Sequence, residues 1–220
     1  MSGSSVFSPT LTFATGAVLV CAIGAVWMTS VRSLIRMVSI QGLALGLVAL
    51  ILGIHQGDGG LIATAAVVAV IKGFVMPFLL GRATAGGSLV RETRPLVNVP
   101  ASLVIAALLI VLAFATTRGI GRFVGTAAGR LVPVGVATLL IGFFVLVARR
   151  RPISQMVGLL LVDNGIALVA FLCTAGVPFL IEIGATLDVL LGVSVLMVLA
   201  QRLAGELGDF DLDALQELHD

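Results

Sequence analysis

Four ionisable side chains, Lys72, Asp163, Glu182 and Asp188, lie within long runs of apolar residues. A charge at the centre of a helix in lipid costs about 2.5–3.5 kcal/mol by insertion scales, so each of these groups requires a partner or a water-lined cavity. Burial disfavours the charged form of acid and amine alike, and groups so placed trade protons readily at neutral pH. The chemistry implied is proton relay. Counting a rise of about 1.5 Å per residue, Asp163 lies about 18 Å beyond Arg151, Asp188 about 21 Å before Arg202 and Lys72 about 15 Å before Arg82. These three therefore share one slab near the middle of a bilayer. Glu182 sits higher, a turn in from Pro178, and reads either as a further proton station or as an interfacial anchor.

The neighbours of these groups suit such a role. Gly184 and Gly192 flank Asp188 one turn either side, leaving a low-relief face open to a helix or to water. Asn164 and Gly165 follow Asp163, a polar and flexible step within a span. Pro77 lacks an N–H, so the carbonyl of Gly73, beside Lys72, loses its helical donor and is expected to take a water or the ammonium. Adjacent helix axes are about 8–10 Å apart, too far for one proton hop. Waters, or Asn164, Thr186 and Ser194, are expected to bridge. Gln41 is expected to hydrogen-bond between helices, and His55 to be a solvated loop residue. The plainer alternative is a purely structural ion pair between Lys72 and one aspartate.

The elements that must position these residues are transmembrane helices. Of 220 residues, 59% are hydrophobic and 11% charged, which makes water the wrong solvent, and 26 glycines suit helices that pack closely in lipid. Seven stretches reach the roughly 20 apolar residues needed to cross: 11–29, 33–53, 61–81, 98–116, 131–149, 153–174 and 178–201. The fold class expected is an all-α polytopic membrane protein forming one domain over 1–220. With the N-terminus outside, the connections hold nine arginines inside (Arg32, Arg36, Arg82, Arg91, Arg94, Arg149, Arg150, Arg151 and Arg202) against Arg118, Arg122 and Arg130 outside. That excess predicts an N-out, C-in orientation. The loop expected around Gly119–Arg122 lacks the Gly-Lys-Ser/Thr of a phosphate site.

A net charge of +2, with arginines at the ends of apolar runs, implies membrane anchoring in lipid and no nucleic-acid partner. Cys21 and Cys173 have neither disulfide nor metal-site spacing and read as packing residues. The first ten residues lack the basic region of a cleaved signal peptide, so the first helix is expected to be retained. Segments 11–81 and 131–201 recur at an offset of about 120 residues, as two three-helix units of a parallel repeat, with 98–116 as the linking helix. Residues 203–220 are expected to be an acidic cytoplasmic tail, either disordered or a helix whose Leu212, Leu215 and Leu218 make a stripe suited to a protein partner.

The motifs of 131–201 resemble the K subunit of respiratory complex I: a basic turn at Arg149–Arg151, Asp163 followed by Asn164, Asp188 four before Gly192, and a Phe-Asp-Leu-Asp tail. The whole chain resembles the hydrogenase-4 component E family, on Lys72 with Pro77, Asp163-Asn164-Gly165, and Glu182-Ile183-Gly184 leading to Asp188. Both families usually carry Glu where this chain has Asp163.

The resemblance implies a non-catalytic subunit of a formate-hydrogenlyase-type, group 4 [NiFe] hydrogenase complex in a prokaryotic plasma membrane. It implies no cofactor and no metal on this chain, intramembrane proton transfer through Lys72, Asp163, Asp188 and Glu182, and support from Asn164, Gly165, Pro77 and Gln41. Its partners would be antiporter-like and complex-I-like membrane subunits and, through them, a cytoplasmic redox module. The rival expectations are a subunit of a multi-subunit Na⁺/H⁺ antiporter and a scaffold between larger membrane subunits.

Overall fold

The computed structural model describes residues 3–83, 97–174 and 179–207, with side chains placed at 6–82, 97–119, 124–174 and 184–198. These residues form helices α1 (Gly3–Trp27), α2 (Val31–Gln56), α3 (Gly59–Val70), α4 (Met76–Ala83), α5 (Val99–Val124), α6 (Val132–Ala148), α7 (Pro152–Thr174) and α8 (Phe179–Leu207). A π-helical turn, Ile71–Val75, joins α3 and α4 into one rod. Six helical segments among the described residues are long and apolar enough to cross a membrane, and no β-strand occurs among them. The seventh expected span corresponds to α8, 29 residues long. The protein is therefore an all-α, multi-pass membrane protein.

The connections follow local chemistry. Gly57 adopts a left-handed conformation, φ 68°, and its N–H closes the end of α2 on Gly53 and Ile54. The next residue, Asp58, caps α3 by accepting hydrogen bonds from the backbone N–H groups of Gly60 (2.8 Å) and Leu61 (3.3 Å). His55 belongs to the last turn of α2 and not to a loop. Its ring stacks on Phe7 of α1 with centroids 3.7 Å apart.

Gly119–Arg122, expected as a loop, are helical and form the end of α5. Two glycines weaken a helix by about 1 kcal/mol each but do not block it as proline does. The helix stops at Gly125, whose φ is 67°.

In lipid no hydrophobic force pulls helices together, so association depends on close packing. Glycines supply it along two seams. Between α6 and α7, a Cβ on Gly142 would lie 2.6 Å from the Val162 nitrogen, and one on Gly165 would lie 2.5 Å from that of Leu139. Between α2 and the α3–α4 rod, Cβ atoms on Gly42 and Gly46 would strike Lys72 and Ala69. The two seams are joined where α1 meets α6 and where α2 meets α7, while α5 lies on α6 and α8 rests on α3, α4 and α7.

The interior divides into two apolar clusters. One contains Val18, Ala44, Val68, Val134 and Ala167, and the other contains Ala22, Val38, Met76, Ile141 and Leu161. On every one of these helices the break between clusters falls at the same level. That level holds Gln41, Lys72, Thr138, Asp163 and Asn164.

Arg149, read as part of a membrane-anchoring basic turn, is only 5% exposed. Its guanidinium donates to the carbonyls of Ala25 (3.1 Å), Val26 (3.2 Å) and Met28 (2.8 Å), at the end of α1. A cation there satisfies carbonyls that lack helical donors and opposes the negative end of the helix dipole. Replacing Arg149 by Ala should destabilise the protein by about 2–3 kcal/mol, seen as lowered thermal stability in detergent, while Lys should recover only part of the loss. Unchanged stability of Arg149→Ala would show that these bonds contribute nothing.

Candidate functional site: a buried ion pair in a polar layer

The site begins with a backbone irregularity. Pro77 has no N–H to offer the carbonyl of Gly73, and the chain widens into the π turn, in which the Met76 N–H reaches back to the Ile71 carbonyl. The Ser39 hydroxyl on α2 donates to the Gly73 carbonyl. Ser39 can reach it because α2 touches the π turn at Gly42, where a Cβ would lie 2.6 Å from the Lys72 carbonyl. The sequence pointed to the orphaned carbonyl but not to Ser39.

Held by this turn, Lys72 points inward. Its ammonium nitrogen lies 2.7 Å from Oδ2 of Asp163 on α7, and the two side chains are 2% and 12% exposed. An ion pair at this depth neutralises two charges that lipid would each reject, and its contact distance permits direct proton exchange between amine and acid.

An amide pair shares the layer. Asn164 Nδ2 donates to Gln41 Oε1 (2.9 Å), and Gln41 Nε2 donates to the Val18 carbonyl (3.0 Å), linking α7, α2 and α1. Gln41 thus bonds between helices. Asn164 is committed to it and does not extend the ion pair toward α8. Gly165, next along α7, lets the α6 backbone approach.

Asp188 does not join this centre. Asp188 is on the exposed side of α8 and makes no hydrogen bond or ion pair with a described residue. Thr186, at 1% exposure, occupies the buried side, and successive residues on a helix turn by 100°, so Asp188 points away from the bundle. Ser194, expected as a bridge, donates to Leu190 of its own helix (2.7 Å). The Glu182 side chain lies outside the described residues, as do the arginines at 91, 94, 122 and 202 and the tail 208–220. Among the described residues, no three of His, Cys, Asp and Glu gather as metal ligands would.

Fold and site define a polytopic α-helical membrane protein with a Lys–Asp ion pair closing a mid-span polar layer. The chain belongs to the same family as the protein named Uncharacterized protein Rv0085 of Mycobacterium tuberculosis, with which it is 42% identical over 215 residues, 97% of this chain and 98% of that protein. It is also similar to hydrogenase-4 component E of Escherichia coli and of Shigella flexneri, 28% identical over 114 residues. That match covers 52% of this chain and 53% of the hydrogenase component, so the chain spans about half the length of that relative. No protein-family model and no solved structure matches the chain significantly.

Removing one partner of a buried pair leaves the other charge uncompensated. Asp163→Leu or Lys72→Met should each cost roughly 3–5 kcal/mol, whereas the two changes together should cost much less. Thermal unfolding of the four proteins in detergent reads this directly. Additive single-site losses would show that the two groups are not coupled. Separately, Gly42→Ala should lower stability by about 1–3 kcal/mol, because its new methyl must displace the Lys72 backbone. Equal stability to the parent would contradict the close approach of α2.

Proposed function

We propose that the protein is a non-catalytic subunit of a complex-I-like membrane redox assembly of the hydrogenase-4 type, in which it takes part in proton transfer within the membrane. The observation that carries this reading is the Lys72–Asp163 contact at 2.7 Å, placed between two apolar clusters and across two spans. An amine and an acid in direct contact can pass a proton between them. A proton arriving at Asp163 would release Lys72 to lose its own, and the reverse step would reload the pair. Glu182 and Asp188 are proposed as further stations, with Asp188 at the boundary with a neighbouring subunit. The partial likeness to hydrogenase-4 component E supports membership of such an assembly. The arginine excess in the connections supports an N-out, C-in orientation in a prokaryotic plasma membrane.

A scaffold is the second reading, favoured by the Asn164–Gln41–Val18 chain, which makes the same layer a fastening between helices. The two separate on one experiment. The assembly is purified through a tag on this chain, reconstituted in vesicles, and proton movement is followed during turnover of the co-purifying redox module. Asp163→Asn should lower protons moved per electron by at least about tenfold in a complex of unchanged composition. Undiminished coupling, or the absence of any redox module from the purified assembly, overturns the proposal, and loss of assembly without a specific loss of coupling favours the scaffold.

A further inference from the structure

The outward side of α8 combines features that lipid alone would not favour. Leu187, Leu191 and Val195 are 49%, 64% and 57% exposed, and the exposed Asp188 stands among them. Along the axis Asp188 lies about 14 Å from Phe179 and about 28 Å from Leu207, well within the span. A carboxylate facing hydrocarbon at that depth is strongly disfavoured unless a donor or a cation meets it. Among the described residues none supplies either. Lys72 is engaged with Asp163, Arg149 with the end of α1, and the exposed arginines Arg32, Arg36, Arg82, Arg118 and Arg130 stand within two turns of helix ends. Beside Asp188, Cβ atoms added at Gly184 or Gly192 would meet nothing within 4 Å, so this side of α8 is unpartnered among the described residues and shallow on both sides of the acid.

We propose that this face docks a transmembrane helix of a different protein, which brings a lysine or arginine to Asp188 at mid-span. Charge complementarity selects that occupant. A second copy packed about a two-fold axis would set Asp188 against Asp188, two like charges in low dielectric, and has no unengaged cation at that depth to offer. A foreign helix bearing a basic residue neutralises the carboxylate, and the notches at Gly184 and Gly192 let its backbone approach. The proposal rests on the chain being one subunit of a larger membrane assembly and requires no proton movement. Its test reads contact, so it can fail while proton coupling holds, and the reverse.

The full chain, with the photoreactive residue p-benzoylphenylalanine in place of Leu191, is expressed in its native membranes and illuminated. The cross-linked peptide is identified by mass spectrometry. The expected product joins α8 to a transmembrane segment of another protein, within one helical turn of a lysine or arginine. Asp188→Lys should reduce recovery of that protein with the tagged chain at least tenfold, and a reciprocal change of its basic residue to Glu should restore it. Adducts with lipid only, a cross-link between two copies of this chain, or a cross-linked segment lacking a basic residue each overturn the proposal. The cross-link is formed with Asp188 intact, so the result stands even where Asp188→Lys fails to fold.

Discussion

An amine and a carboxylate that must share one buried layer constrain the rest of this structure. Neither Lys72 nor Asp163 is tolerable alone at the middle of a span, and each becomes so within 2.7 Å of the other. Meeting that requirement ties the α3–α4 rod to α7 at one height. It also separates the apolar interior into an upper and a lower cluster, with the amide pair Gln41–Asn164 occupying the same level. Polar groups gathered in one layer can satisfy each other, whereas the same groups scattered along the spans would each face hydrocarbon.

The layer exists because backbones approach unusually closely around it. Gly42 admits α2 against the π turn, and Gly142 and Gly165 admit α6 against α7. The missing side chain at Gly42 brings Ser39 to the Gly73 carbonyl. The π turn itself answers the missing N–H of Pro77, and by widening the helix it reorients the residues on either side. Arg149 adds a remote fastening, closing the carbonyls at the end of α1. Dispersion over close glycine seams and a few well-placed polar bonds thus replace the hydrophobic effect that organises proteins in water.

The contrast between α7 and α8 bears on function. Both carry an acid near mid-span, yet Asp163 is paired within the chain and Asp188 is not. An acid paired internally belongs to the protein's own fold. One left on an apolar exterior is not accounted for by the described fold.

The residue types and their spacing determined the solvent, the helical class, the number of spans within one, and the common depth of Lys72 and Asp163. Each of these depends only on length, hydropathy and a rise of about 1.5 Å per residue. The tertiary structure decided direction around each axis, which depth cannot supply. The π turn displaces the regular 100° step just where Lys72 emerges, and no periodic count from the apolar run anticipates it. Packing of α8 turned Thr186 inward and Asp188 outward, and the meeting of distant helix ends made a bond-forming residue of Arg149, one of three consecutive arginines that look alike in the sequence. Height along a helix is local and additive, whereas azimuth and partnership are settled only when all the helices pack together.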